Sequence, residues 1–172
     1  MDILLCGAGG RMGAAVVAAA TGAGHRIAAG IDPTPAATSP FPVFSSPEEC
    51  TVQADVIIDF SHHSALPALL DFAEARHIPT VICTTGHTGE ELERLARSAE
   101  RIPVFYSRNM SLGINLLMAL CRRAAAVLGT DFDVEIVEKH HRNKLDAPSG
   151  TALMLADAVA KLSPRERDII TM

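Results

Sequence analysis

Between Glu138 and Ala152 the chain reads EKHHRNKLDAPSGTA. His140, His141, Arg142 and Lys144 crowd together there, in a chain whose formal net charge is −5 at pH 7 with His neutral. Clustered cations against an acidic background predict an anionic substrate. Histidine donates a proton near neutral pH, and lysine fixes or polarises a charged group. Ser149-Gly150-Thr151 opens a predicted helix behind Pro148, and the first N–H groups of a helix hold a carboxylate. The simpler account is a solvated basic loop followed by an ordinary helix cap. Neither His62-His63 nor His140-His141 has the i, i+4 spacing of a helical zinc site, and no cysteine is near, so no metal is expected. His62-His63 reads as a surface pair.

A second chemical signal lies at the start. Gly7-Ala8-Gly9-Gly10-Arg11-Met12-Gly13 is a GxxGxxG loop between the first predicted strand and the first predicted helix. Gly7 permits a tight turn, Gly10 lets backbone approach a diphosphate, and Gly13 allows helix and strand to pack closely. The helix N-terminus behind them offers N–H groups to phosphate. Asp32 ends the second predicted strand, where a carboxylate grips an adenosine ribose. It repels a 2′-phosphate, and no Arg or Lys follows it, so NADH is the expected cofactor. Arg11 leaves NADPH open. The alternative is a tight strand–helix turn without a ligand and a solvated Asp before Pro33.

These groups need a scaffold. Apolar runs at Asp2–Cys6, Arg26–Ile31, Asp55–Phe60, Ile78–Cys83 and Pro103–Tyr106 read as buried strands, with a short one at Val43–Phe44 inside a proline-rich loop. Between them lie helical patterns at Met12–Thr21 (Met12, Val16, Val17, Ala20 inward) and Ser64–Arg76 (Leu66, Leu69, Leu70, Ala73). Another opens with a Thr88/Glu91 capping box (Leu92, Leu95, Ala96, Ala99 inward). A long helix, Ile114–Leu128, follows, with Ile114, Leu117, Met118, Cys121, Ala125 and Leu128 on its apolar face. This alternation predicts an α/β fold: a Rossmann-like, doubly wound parallel sheet over residues 1–130. Residues 131–172 begin a smaller α+β substrate and oligomerisation domain: a strand at Phe132–Glu138, the charged loop, and a helix at Ser149–Lys161 with Leu153, Ala156, Val159 and Ala160 inward.

Composition narrows the classes. The 172 residues are 48% hydrophobic and 20% charged, a globular balance rather than a disordered one. A pI near 5.8 argues against a nucleic-acid partner. No apolar stretch is expected to reach the roughly 18 residues of a membrane span, and no basic segment precedes Ile3–Cys6 to make a signal peptide. Cys6, Cys50, Cys83 and Cys121 form no CxxC pair, so reduced thiols in a cytoplasmic protein are expected.

GAGGRMG at Gly7–Gly13, Asp59-Phe60-Ser61, Thr84-Thr85-Gly86, NMSLGIN at Asn109–Asn115 and EKHHRNKLDAPSGTA occur in the order seen in the 4-hydroxy-tetrahydrodipicolinate (dihydrodipicolinate) reductase family. The chain resembles that family through about Lys161. The resemblance implies NAD(P)H-dependent reduction of hydroxy-tetrahydrodipicolinate to tetrahydrodipicolinate, with loss of water, in diaminopimelate and lysine biosynthesis. It implies His140 as general acid and Lys144 as the lysine that activates the substrate. It implies His141, Gly150, Thr151 and Thr85, beside Ser149, as contacts to a small dicarboxylate. It implies Gly10, Arg11, Met12, Asp32, Phe60, Thr85, Ser107, Asn109 and Met110 as the cofactor cleft, and a homotetramer as the assembly. Cys83 stands where the family usually has Gly, a side chain at the cofactor cleft. Family members continue past the equivalent of Met172, so a partial substrate domain is expected. Two alternatives stay open: an inactive nucleotide-binding module of the same ancestry, and another nicotinamide-dependent amino-acid dehydrogenase.

Overall fold

The computed structural model describes residues 1–34, 39–140, 142, 147–160 and, as backbone alone, 168–171. Two compact units divide the chain, Met1–Ser107 and Arg108–Met172.

The first unit is a parallel six-stranded sheet. Its strands are β1 (Asp2–Cys6), β2 (Arg26–Ile31), β3 (Val43–Phe44), β4 (Val56–Asp59), β5 (Thr80–Ile82) and β6 (Val104–Tyr106), in spatial order β3-β2-β1-β4-β5-β6. Leu4 pairs with Ala29 on one side and Ile57 on the other. The order reverses direction between β1 and β4, which is the switch point where a doubly wound sheet opens a crevice beyond its strand ends.

Alternation along β1 sets the two faces. Leu4 and Cys6 join Ile57, Ile82 and the helices α2 (Leu66–Arg76) and α3 (Gly89–Ser98), through Leu66, Leu69, Leu70, Ala73 and Leu95. Ile3 and Leu5 join Ile27 and α1 (Arg11–Gly22), through Val16, Val17 and Ala20. Both faces are therefore covered, as near-continuous apolar strands require. Pro67 sits in the first turn of α2, and the Thr88/Glu91 capping box starts α3 as expected.

In this unit two helical faces differ in detail. Met12 is exposed, since it lies in the first turn of α1 beyond the sheet. On α3, Ala96 and Ala99 are exposed and Ser98 is buried. Arg94 draws that face round, donating to Glu74 (2.6 Å), Asp71 (2.6 Å) and the Ser98 hydroxyl (2.6 Å).

The second unit holds α4 (Leu112–Leu128), β7 (Glu135–Glu138), α5 (Gly150–Ala160) and β8 (Asp168–Thr171). Helix α4 packs on α5, which places it in this unit, ahead of the expected 130/131 division. Met118 and Ala125 are buried and Ile114 and Cys121 half-buried, but Leu117 and Leu128 are exposed. On α5 the buried residues are Ala152, Ala158 and Val159, with Leu153 exposed. The expected strand shortens to Glu135–Glu138 and gains a parallel neighbour in β8, Ile136 pairing with Ile169. The sequence reading placed one strand here, not a β–α–β unit.

The expectation about membrane-spanning length also needs correction. Leu112–Asp131, α4 with its terminal turn, runs 20 residues at mean hydropathy 1.4, long and apolar enough to cross a membrane by length and composition. Its leucines and alanines outweigh Arg122 and Arg123 in the average.

Candidate functional site

In the first unit, the predicted cofactor residues follow the strand ends. The glycine loop follows β1, Asp32 follows β2, Phe60 follows β4, Cys83-Thr84-Thr85 follows β5 and Ser107 follows β6. All lie at the carboxyl edge of one parallel sheet, where such folds bind ligands.

Gly7 has φ 75°, and a Cβ there would stand 2.4 Å from the Phe60 carbonyl oxygen. Only glycine fits, so the turn after β1 lies against the turn after β4. At Gly13 a Cβ would meet the Gly7 carbonyl at 2.5 Å and the Ala8 carbonyl at 2.6 Å, so α1 starts pressed onto its own loop. Gly10 differs. A Cβ there would meet the Gly7 carbonyl at 3.3 Å, a tight contact but looser than those at Gly7 and Gly13. No side chain caps α1, and its first turn carries no acid. The partial positive charge of the helix start is thus left for an anion. These features fit the diphosphate of a dinucleotide.

Asp32 is half-buried, and each carboxylate oxygen takes one backbone donor: Gly9 N–H at 2.9 Å and Thr34 N–H at 2.9 Å. The predicted ribose ligand therefore also braces the glycine loop. A cavity of about 230 Å³ opens beside that loop, lined by Ala8, Gly9, Ala14, Val17, Phe41 and Val43 among others. A larger one, about 670 Å³, lies near the start of β1 and lines itself with Asp2, Gln53, Asp55 and Arg76. Among the described residues, none of the predicted site residues borders it.

After β5, Thr85 is exposed and Cys83 half-buried. Burial first, and the Asp59 carboxylate second, push the Cys83 thiol up to about 11. The side chain next to the expected cofactor cleft is therefore a protonated, apolar thiol at neutral pH. Behind it, Asp59 is 1% exposed. It accepts from Ser61 N–H (3.0 Å), Ser61 Oγ (2.5 Å) and Thr84 Oγ1 (2.7 Å). From the sequence, Asp59 enters only as the first residue of the Asp59-Phe60-Ser61 motif, with no role of its own. Its signal was an acid closing the otherwise apolar run VIID.

The expected surface pair His62-His63 divides. His62 is exposed and caps a short turn by accepting from Ser64 N–H. His63 is half-buried, with Nδ1 3.0 Å from Glu91. His87, whose side chain is wholly enclosed, stands 3.7 Å from the same carboxylate. Burial holds His87 below the usual histidine range, only partly offset by Glu91.

In the second unit, β7 ends at Glu138. One oxygen of its carboxylate accepts Ser149 N–H at 2.8 Å, and the other lies 3.6 Å from His140 Nδ1. Ser149 is buried and its hydroxyl accepts Ala152 N–H at 3.1 Å, the cap of α5. Gly150 and Thr151 form the first turn. Thr151 Oγ1 accepts from Asn109 Nδ2 at 2.8 Å, while Asn109 Oδ1 accepts Ser111 N–H at 2.8 Å. Asn109 and Met110, expected at the cofactor, thus belong to this unit, and Asn109 is tied to the helix start expected to bind carboxylate. His140 and Arg142 are exposed. His141 and Lys144 lie outside the described residues.

Comparison with known proteins adds two family matches. Residues 1–110 match "Dihydrodipicolinate reductase, N-terminus" and residues 113–172 match "Dihydrodipicolinate reductase, C-terminus". A 4-hydroxy-tetrahydrodipicolinate reductase of Clostridium perfringens is 43% identical over 161 residues, 92% of this chain and 63% of the relative. One from Caldanaerobacter subterraneus subsp. tengcongensis is 47% identical over 171 residues, 98% of this chain and 66% of the relative. This chain therefore spans just under two thirds of the relatives it matches. Among solved structures, a dipicolinate-bound dihydrodipicolinate reductase from Paenisporosarcina sp. TG-14 superimposes with TM-score 0.75 at 26% identity, covering 100% of this chain and 78% of that one.

Proposed function

Because the chain belongs to the dihydrodipicolinate reductase family, we propose that the full-length protein reduces 4-hydroxy-tetrahydrodipicolinate to tetrahydrodipicolinate, with loss of water, on the diaminopimelate route to lysine. The first unit holds the dinucleotide and the second the substrate. A bound nicotinamide dinucleotide supplies the hydride. Gly7, Gly10, Arg11, Met12 and Gly13 hold its diphosphate through backbone N–H groups, and Asp32 takes the adenosine ribose. Phe60, Cys83, Thr85 and Ser107, with Asn109 and Met110, line the nicotinamide end. A carboxylate at the ribose favours NADH over NADPH, since it repels a 2′-phosphate.

His140 donates the proton to the carbon next to the one reduced, and Lys144 holds and polarises the substrate. His141, Ser149, Gly150, Thr151 and Thr85 take the two carboxylates. The dipicolinate named with the Paenisporosarcina relative is a planar dicarboxylate, which supports that substrate class. The observation that carries the reading is the start of α5. Glu138 accepts Ser149 N–H and lies beside His140, so one side chain joins the assigned acid to the assigned anion turn. The same reading places the protein in the cytoplasm as a homo-oligomer.

Titration of NADH fluorescence, with and without pyridine-2,6-dicarboxylate, tests the proposal. NADH should bind, and the dianion should tighten it. NADH binding that ignores the dianion would favour a nucleotide-binding module alone. No NADH binding by a folded protein would overturn the reading.

A further inference from the structure

Asp59 is a buried carboxylate that the assignments above leave without a task. Enclosing a charged group is costly unless hydrogen bonds satisfy it. Here the satisfaction comes from two separate loops. Ser61 belongs to the turn after β4 and donates twice to Oδ1, at 3.0 and 2.5 Å. Thr84 belongs to the turn after β5 and donates to Oδ2 at 2.7 Å. Between the two, the Cys83 N–H donates to the Asp59 carbonyl at 2.9 Å. The turn after β4 is pinned in turn to the glycine loop, where Phe60 carbonyl and Gly7 leave no room for a Cβ. Three consecutive loops of the carboxyl edge are therefore locked in series, and Asp59 is the polar link between the last two.

Those two loops face one half of the dinucleotide. Asp32 at the end of β2 and the start of α1 place the adenosine and diphosphate on the β1–β2 side. A dinucleotide then crosses the switch point, so its second nucleoside meets the turns after β4 and β5. We propose that Asp59 is a positioning residue for the nicotinamide half of the cofactor: through Ser61 and Thr84 it sets the spacing between Phe60 and Thr85, which flank its two partners in sequence. This rests on the dinucleotide reading above.

The test compares NADH with ADP-ribose, which lacks the nicotinamide. Asp59→Asn preserves shape but removes the charge-assisted acceptor for Thr84. It should raise the Kd for NADH about tenfold, the order expected for one hydrogen bond to a charged group, and leave the Kd for ADP-ribose within about twofold. Equal losses for both ligands would show general damage to the fold and overturn the proposal, as would unchanged NADH binding. Because Asp59→Asn risks misfolding, Thr84→Val and Thr84→Ser form a second pair. Val should weaken NADH selectively by about fivefold, and Ser, which restores the hydroxyl, should return it to the wild-type value. A serine variant as weak as valine would overturn the proposal. Wild-type binding of NADH and ADP-ribose, measured first, decides the dinucleotide reading independently of either variant.

Discussion

His140 and Asp32 make opposite demands on a mutational test. His140 is exposed and sits 3.6 Å from Glu138, so its removal disturbs little else. His140→Ala should lower turnover by about 10²-fold, as for a lost general acid, with the Kd for NADH unchanged by fluorescence titration. A parallel fall in NADH affinity would contradict the assigned role. Asp32 both meets the ribose and braces Gly9, so Asp32→Ala should weaken both cofactors. The loss for NADH should exceed that for NADPH by about tenfold, and equal losses would leave only the bracing role. Asp32 was legible because it ends a strand at a fixed distance from a glycine loop. The buried role of Asp59 was not, although its motif was: an acid closing an apolar strand reads as the point where the strand meets water. Its burial emerges only when β1 and β5 flank it. The pairing of His63 with Glu91 was illegible as well, since the two lie 28 residues apart in sequence.

Loops and helices make a sharper pair of predictions. Gly13→Ala places a methyl group 2.5 Å from a backbone carbonyl, so it should cost about 2 kcal/mol or more of stability, read from the thermal midpoint. Gly10→Ala meets its nearest atom at 3.3 Å. It should cost less stability than Gly13→Ala yet lose NADH affinity. The α2–α3 contact predicts a pH effect. Arg94 chiefly, with Ser98 and Arg101, lowers the Glu74 carboxyl from 4.5 to about 2. A depressed carboxyl stabilises the fold above its unfolded pKa and ceases to do so as pH falls toward its folded one. Glu74→Gln should therefore lower the melting temperature at pH 7, with the gap to wild type narrowing steadily below pH 4.5. The strands of the first sheet were readable as apolar runs, and α2 from the helical spacing of Leu66, Leu69, Leu70 and Ala73. The face of α4 was not. Its sequence is apolar nearly all round, so periodicity cannot choose a side, and of its residues Met118 and Ala125 are the buried ones.

At the scale of the whole molecule, the alternation of strands and helices made the parallel sheet readable, and the motif order made the family readable. The strand β8 and its pairing with β7 were not, because Asp168–Thr171 is a short apolar run with no turn signal of its own. The exposure of Leu112, Leu116, Leu120 and Val127 along α4 predicts binding of a hydrophobic dye by this chain, and Leu116→Lys with Leu120→Lys should reduce it. The order of the first sheet carries a kinetic consequence. β1 and β4 are neighbours in space but are separated in the chain by α1, β2 and β3. The central pair can close only after a long loop is confined, and parallel sheets built on such distant contacts fold slowly. Since that pair also brings Gly7 against Phe60, refolding protein should acquire NADH affinity in step with its slowest phase and not ahead of it, so cofactor fluorescence becomes a clock for completion of the sheet.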